Sequence, residues 1–255
     1  MRYLLEPRKG KGYAYNLGIA SATGEVLVFT DDDVRPHHGW LESLTGPIAA
    51  GDADAVLGNI ALAPHLRRNW MEAGHRVMLG DTELVTGGSA FELVGANMAF
   101  SRDVLAHVPG FDEELGPGAL GFCEDTLFSR QLREAGFRLR FVENASVEHH
   151  FSERRLTREA FKERARAEGR ALAYIDYHWE HIEMPRIRWR ILRAQLGYLI
   201  SLILHTGEWS RTEGAAGWEI RNLVMISYHR QCLIERRRSR SYDKRGLIKK
   251  IRGSN

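Results

Sequence analysis

The sequence predicts an α/β fold followed by a helical C-terminal extension. Two short runs, Val26–Thr30 and Ala55–Ile60, are rich in apolar and β-branched residues, as is typical of buried strands. Stretches of helical character lie before and between them, at about residues 13–22 and 40–50. Strands that alternate with helices in this way indicate the α/β class.

The remaining elements follow from turn and cap signals along the chain. Gly24 and Gly136 are predicted to occupy the C′ positions of two helices, and Pro36 is predicted to interrupt regular structure. The Gly- and Pro-rich segment 112–121 predicts a loop that can move. In chain order, the other predicted elements are a short strand at 3–5, a helix at about 126–135, short strands at 139–142 and 145–147, and helices at 156–174 and 187–204.

Composition and charge indicate a globular protein with two dissimilar parts. The chain has 255 residues, of which 44% are hydrophobic and 27% are charged, as in an ordinary protein of one or two domains. Its two cysteines provide neither a disulfide framework nor a zinc site.

Residues 1–150 carry 13 Lys and Arg against 21 Asp and Glu, whereas residues 151–255 carry 23 against 12. We therefore predict an acidic body at 1–155 and a basic helical extension at 156–255.

The basic extension predicts contact with an anionic surface. Its apolar run at 196–204 follows four arginines, at positions 186, 188, 190 and 193. The run is shorter than the roughly 20 residues that cross a bilayer. Residues 186–204 are therefore predicted either to lie in the membrane interface or to pack on the α/β body as a covering helix. Nucleic acid is not expected as a partner, because these arginines are not interleaved with a stacking platform.

The first twelve residues are charged and lack the apolar core of a signal peptide. We therefore expect a cytoplasmic protein. If the basic extension binds lipid, we expect a peripheral membrane protein at the inner face of the cell membrane.

Three consecutive carboxylates, Asp31, Asp32 and Asp33, directly follow the strand at 26–30. In open α/β sheets, ligands bind at the carboxyl ends of the strands. Adjacent like charges repel unless a cation neutralises them, and carboxylate oxygens suit Mg²⁺ or Mn²⁺, which in turn suit a diphosphate. The triplet thus predicts a metal–nucleotide site, with a solvated acidic loop or a helix cap as the alternative.

Two further features have the same double interpretation. Asp125, after Glu124 at a helix start, is either an N-cap or a general base that takes a proton from an acceptor hydroxyl. His149 and His150 are either surface and core histidines or ligands that complete a metal site with carboxylates.

These features occur in an order that resembles glycosyltransferase family 2, the inverting transferases of GT-A fold. The acidic triplet is followed by Gly95-Ala96-Asn97, then Gly110-Phe111-Asp112-Glu113, then Glu124-Asp125, then His149. The segment from Gly10 to Ile19 is similar to the family's loop and helix before the metal-binding strand. The resemblance covers about residues 5–155. It implies a Rossmann-like GT-A sheet that moves a sugar from a nucleotide-diphosphate sugar to a glycan or lipid-linked acceptor, for cell-envelope or exopolysaccharide glycans.

The resemblance also implies a role for each matched residue. Asp31 and Asp33 are the ends of a D-x-D motif, in which Asp33 binds a divalent metal, Mn²⁺ or Mg²⁺. Asp31 lies near the donor and is a further ligand of the metal. His149 completes the metal side. Asp125 is the catalytic base, and Glu124 orients the acceptor. The remaining matched residues are Gly12 and Asn16 beside the nucleotide, and Ala96 and Asn97 on the acceptor side.

The sequence departs from the family pattern in two places. Tyr15 stands where the family has an arginine. The family's first β-α-β unit, which binds the nucleoside, has no counterpart before Arg2. We therefore expect an N-terminally incomplete sheet and weak catalysis by this chain by itself. The alternative function is a truncated or degenerate homologue that does not catalyse, and a further alternative is that another chain supplies the unit.

Overall fold

The computed structural model describes residues 2–85 and 91–250. They form two compact units. Unit 1 comprises Met1–Glu113 and Glu124–Ser152, and unit 2 comprises Glu114–Cys123 and Glu153–Asn255. The change of unit after Ser152 falls close to the boundary predicted at residue 155. The sequence does not predict that residues 114–123 belong to the second unit.

Unit 1 is a five-stranded mixed sheet with helices. The strand order is β1-β4-β3-β5-β2, and β3–β5 is the parallel pair, while the three other pairings are antiparallel. Its elements are α1 (Lys11–Ser21), β1 (Val26–Thr30), β2 (Val34–Pro36), α2 (Trp40–Ala49), β3 (Ala55–Leu62), α3 (Ala73–Met78), β4 (Asn97–Ser101), α4 (Glu124–Glu134) and β5 (Leu139–His149).

Several local predictions for unit 1 need correction. Residues 3–5 form no strand, and Tyr3 and Leu5 are exposed. Gly24 is not a C′ residue, because α1 already ends at Ser21 and the extended residue Ala22 caps it. The two short strands at 139–147 are a single strand, β5, whose pairing with β3 shifts register between Gly58 and Ile60.

Pro36 ends a strand that the sequence does not predict. Strand β2 pairs antiparallel with the end of β5, so that Val34 faces His149 and Pro36 faces Val147. Because β2 is an edge strand of the sheet, the missing N–H group of Pro36 is tolerated there. This short pairing fixes the position of the residue that precedes β2, Asp33.

The core of unit 1 is apolar and rich in phenylalanine. Phe111 stacks on Phe128 with ring centroids 4.4 Å apart, and Phe29 stacks on Phe100 at 5.3 Å. Gly136 has a φ of +83°, and the amide N–H of Phe137 donates to the Leu132 carbonyl, so α4 ends as predicted. Packing of this kind fixes the ends of β1 and α4, where the acidic residues lie.

Unit 2 is helical, so the predicted combination of an α/β body with C-terminal helices is confirmed. It contains α5 (Arg158–His178), α6 (Ile187–Leu204) and α7 (Gly217–Glu235). Helix α6 has the predicted bounds, α5 starts and ends later than predicted, and α7 is not predicted. Helices α5 and α7 approach closely at Gly169, where a Cβ atom would lie 2.3 Å from the Val224 carbonyl oxygen. No helix in the described part of the chain is both long and apolar enough to cross a membrane.

The basic residues after α7 are packed within unit 2. Arg238 donates to Glu235 at 2.8 Å and also forms an ion pair with Glu114. Lys249 lies 3.3 Å from the same Glu114 carboxylate. These contacts fix the end of the described chain and the start of the 114–123 segment within unit 2.

Candidate active site

The pairing of β2 with β5 brings Asp33 next to His149. An oxygen of the Asp33 carboxylate lies 3.3 Å from Nε2 of His149, and the His150 amide donates to the Asp33 carbonyl at 2.6 Å. His149 is 4% exposed and packs edge-on against Phe151. His150 instead lies 3.1 Å from the Glu148 carboxylate. Of the two histidines, His149 is therefore the one that shares a site with an aspartate of the triplet.

Asp31 has a different partner. The ammonium group of Lys11, the first residue of α1, lies 3.2 Å from the Asp31 carboxylate and 3.9 Å from that of Glu124. It also lies 5.0 Å from the centre of the Tyr15 ring. Asp32 is exposed. Of the three carboxylates, that of Asp33 thus lies beside a histidine, that of Asp31 lies beside a lysine, and that of Asp32 is exposed to solvent.

Lys11 is a site residue that the sequence analysis does not single out. Burial opposes its charge, but the Tyr15 phenol and the carboxylates of Asp31 and Glu124 outweigh that effect, so the pKa of Lys11 is raised. The sequence signal for Lys11 is its place between Gly10 and Gly12, directly before the predicted helix. Lys11 supplies positive charge near the position where the family's arginine is replaced.

Asp125 lies in the first turn of α4 and is held by two backbone donors. The amide of Thr126 donates to its carboxylate at 2.8 Å, and that of Gly95 donates to it at 3.2 Å. The residue before the helix is Cys123, whose φ is +73°. Asp125 is therefore not the N-cap, because α4 already includes Glu124. Its carboxylate instead joins α4 to the segment before β4.

The two adjacent acids differ in their electrostatic surroundings. Burial, and then the neighbouring Asp125 charge, raise the pKa of Glu124 to about 8, although Lys11 opposes this. Burial also raises the pKa of Asp125, against the charge of Lys11 and the amides of Gly95 and Thr126. Because burial raises the pKa of Glu124 to about 8, we infer that Glu124 keeps its proton at neutral pH, while the amides of Gly95 and Thr126 favour the ionised form of Asp125.

Gly95 makes room for a tyrosine at this point. A Cβ atom at position 95 would lie 2.2 Å from the Tyr15 hydroxyl oxygen and 3.2 Å from the Lys11 nitrogen. The Tyr15 ring packs against Phe29 and Phe111 at 4.9 and 5.0 Å. The tyrosine that replaces the family's arginine is therefore integrated into the aromatic core.

Gly12 and Asn16 hold the segment at 110–113. The Asn16 side chain accepts from the Phe111 amide at 2.8 Å and donates to the Phe111 carbonyl at 2.9 Å and to Glu113 at 3.1 Å. A Cβ atom at Gly12 would lie 2.8 Å from the Asp112 carbonyl oxygen. These residues anchor a loop of unit 1, and their predicted place beside the nucleotide remains a prediction.

Ala96 and Asn97 are buried. The Asn97 amide donates to the carbonyls of Asn59 and Ala145 at 2.9 and 2.7 Å, and it accepts from the Trp40 indole at 2.7 Å. Its polar atoms are thus occupied within the core of unit 1, and Ala96 is 3% exposed. The predicted acceptor-binding role of both residues stays a prediction that this burial does not favour.

A metal would fit the pair formed by Asp33 and His149. The described residues contain no group of three His, Cys, Asp or Glu side chains that could hold a metal ion. Asp31, predicted as a third ligand, is held by Lys11 instead. A carboxylate and an imidazole nevertheless match the incomplete ligand set of metals that also bind substrate phosphates. The donor chemistry thus suits a metal that shares its coordination with a diphosphate.

Comparison with known proteins identifies the family. Residues 1–108 match the model of Glycosyl transferase family 2. These 108 residues, less than half of the chain, are similar to that family. The family predicted from the ordered motifs is therefore confirmed, and the match includes α1, the acidic triplet and the strands up to β4.

Two relatives and one solved structure illustrate the similarity. A pre-mycofactocin glycosyltransferase of Mycobacterium tuberculosis is 32% identical over 148 residues, which are 55% of this chain and 30% of that protein. Glycosyltransferase AglE of Haloferax volcanii is 36% identical over 55 residues, 22% of this chain and 18% of that protein. The chain thus spans about a third of the length of the first relative. A mannosyltransferase from Pyrobaculum calidifontis in complex with GDP-Man and Mn²⁺ aligns with a TM-score of 0.49 at 14% identity, covering 89% of this chain and 66% of that one.

Proposed function

We propose that this protein transfers a sugar from a nucleotide-diphosphate sugar to an acceptor hydroxyl, with inversion at the sugar carbon and with a divalent metal, Mn²⁺ or Mg²⁺. The similarity of residues 1–108 to glycosyltransferase family 2 supports the reaction class. The observation that supports metal dependence is the distance of 3.3 Å between a carboxylate oxygen of Asp33 and Nε2 of His149 at the corner of the sheet.

Asp33 and His149 would hold the metal. When bound there, the metal supplies charge neutralisation for the diphosphate leaving group. Asp31 belongs on the donor side, where Lys11 balances its charge. Lys11 is also 3.9 Å from Glu124, so one ammonium group lies between the donor-side and the acceptor-side carboxylates.

Asp125 is the general base of this proposal. It takes the proton of the acceptor hydroxyl while the acceptor oxygen forms a bond to the sugar carbon and the bond from that carbon to the diphosphate oxygen breaks. Attack from the face opposite the leaving group inverts the configuration. The amides of Gly95 and Thr126 hold the carboxylate in position for this step. Protonated Glu124 donates to the acceptor and orients it.

The acceptor in this proposal is a lipid-linked or cell-envelope glycan, and unit 2 contacts the membrane surface. Helix α6 supports this part. Its apolar residues Trp189, Leu199 and Ile203 are 59%, 55% and 71% exposed. A helix with this exposure is typical of the membrane interface, and the exposure favours that alternative over the covering helix.

The proposal is tested by incubating the full chain with UDP-, GDP- and dTDP-sugars and Mn²⁺ and measuring release of the nucleoside diphosphate. We expect slow release from one class of donor and its loss in EDTA. Absence of both release and Mn²⁺–nucleotide binding with every donor would overturn the proposal and favour a non-catalytic homologue.

A further inference from the structure

Unit 2 contains a cavity of about 620 Å³ between the end of α5, the segment before α6 and the end of α7. Its inner wall includes Ile187 and Cys232, which are 3% and 7% exposed. Tyr177 and Met184 also belong to the apolar and aromatic part of the lining, together with Ile182 and Pro185. The cavity consists of unit 2 residues and takes no part in the proposed sugar transfer.

Most of the charged residues that line this cavity are arginines, and we call it the arginine cavity. Arg186, Arg236 and Arg240 line it, against a single acid, Glu183. A neighbouring cavity of about 390 Å³ shares Arg186 and Arg236 and adds two more arginines, at 188 and 237. This arrangement gives the opening a strong positive potential that attracts anions.

Two of these arginines are available for a ligand. Arg240 lies 3.7 Å from Glu183 and over the Tyr177 ring at 4.4 Å, so its guanidinium group is held in place. The side chains of Arg186 and Arg236 are exposed and form no ion pair or hydrogen bond with any residue in 2–85 or 91–250. Free guanidinium forks of this kind suit the bidentate recognition of phosphate.

Five exposed apolar side chains of α6 share one face of the helix. Trp189, Leu192, Leu196, Leu199 and Ile203 follow one another at intervals of three or four residues, and all are exposed. Arg186, at the N-cap of this helix, also lines the arginine cavity. The apolar face of α6 and the positive charge at its N-cap together match the chemistry of an anionic bilayer.

We propose that the arginine cavity binds the headgroup phosphate of an anionic phospholipid while the apolar face of α6 lies in the bilayer interface. This inference rests on the proposed membrane contact of unit 2. The occupant is a lipid in a bilayer, since a free phosphate compound would leave the apolar face of α6 exposed. Arg186 and Arg236 supply the phosphate contacts, and the Tyr177 ring holds Arg240 at the wall.

Sedimentation of the full chain with vesicles tests this inference. Phosphatidylcholine vesicles are compared with vesicles of phosphatidylcholine and phosphatidylglycerol. We expect the Arg186→Gln/Arg236→Gln variant to lose at least about tenfold in affinity for the anionic vesicles. The charge-matched control is Arg221→Gln/Arg230→Gln, which removes two exposed arginines of α7 outside the cavity. It is expected to lose less than about threefold.

Each outcome distinguishes the parts of the inference. If the wild type binds neither vesicle, the proposed membrane contact and the headgroup site are both overturned. If the wild type binds but both variants lose affinity equally, the membrane contact stands and the cavity site is overturned. Capture of glycerol phosphate without vesicles, at the affinity seen for anionic vesicles, would overturn the assignment to a bilayer lipid. Two controls exclude unfolding as the cause of a loss of vesicle affinity. They are circular dichroism and the retention of affinity in Arg186→Lys/Arg236→Lys.

Discussion

Asp33 and His149 lie at the same end of a short antiparallel pairing, with the carboxylate 3.3 Å from the imidazole Nε2. The contact depends on a three-residue edge strand, Val34–Pro36, which places the end of the acidic triplet beside the end of β5. It joins two of the three predicted metal ligands. The two residues are far apart in the sequence, and it is the pairing of β2 with β5 that brings them together.

Substitution of either residue should weaken metal-dependent nucleotide binding. We expect Asp33→Asn and His149→Ala each to reduce the affinity for a nucleoside diphosphate in Mn²⁺ by at least about tenfold, because each removes a metal ligand. The matched control is Asp32→Asn, since Asp32 is adjacent in sequence but exposed. Isothermal titration measures the three variants. A loss of equal size in the control would show a general charge effect instead of a metal site.

Glu124→Gln should stabilise the folded protein at high pH. Burial raises the pKa of Glu124 from 4.5 to about 8, so the unfolded chain loses this proton at lower pH than the folded chain does. The resulting penalty on folding is absent below pH 4.5, grows as the pH rises, and is complete above pH 8. We expect Glu124→Gln to raise the free energy of unfolding by about 2–4 kcal/mol at pH 9 and by nearly nothing at pH 4.5.

Denaturant unfolding of metal-free protein at the two pH values measures this difference. The control is Glu143→Gln, which alters an exposed glutamate of β5 and should change stability little at either pH. A gain from Glu124→Gln that is equal at pH 4.5 and pH 9 would contradict a raised pKa.

Gly95→Ala should destabilise unit 1 through the Tyr15 hydroxyl. The new methyl group would lie 2.2 Å from that oxygen, and such overpacking typically costs about 1–3 kcal/mol. Tyr15→Phe should recover part of the loss in the Gly95→Ala background, because it removes the clashing atom. Gly18→Ala in α1 is the control, since its methyl group would have no atom within 4 Å, and we expect a gain of about 0.5–1 kcal/mol there. Thermal unfolding of the four variants measures these effects, and strictly additive losses in the double variant would refute the contact.

The sequence predicts the parts of the fold that local signals determine. Helix α6 has the predicted bounds because its apolar run is continuous, and α4 ends just before Gly136 because that glycine adopts the left-handed conformation. Helix α7 is not predicted because it starts after Ala216 without a side-chain cap. Strand β2 is not predicted because a proline such as Pro36 argues against a strand unless that strand lies at the edge of a sheet.

The site is predictable in its residue types but not in its pairings. The acidic triplet, the Glu124-Asp125 pair and His149 are recognisable from their order in the sequence. The ion pair of Lys11 with Asp31, and the amide of Gly95 on Asp125, depend on the packing of α1 and α4. Long-range contacts of this kind have no local signal. Likewise, the burial of Asn97 follows from the space left by Gly58, whose Cβ atom would lie 2.3 Å from the Asn97 amide nitrogen.

The rate of donor breakdown in Asp125→Asn tests the central claim most directly. Water replaces the unknown acceptor, and release of nucleoside diphosphate from the preferred nucleotide sugar is followed in Mn²⁺. We predict that kcat falls about 10²–10⁴-fold, as expected for loss of a general base, while the affinity for the Mn²⁺–nucleoside diphosphate stays within about twofold. An unchanged kcat with unchanged nucleotide affinity would contradict the assignment of Asp125 as the base.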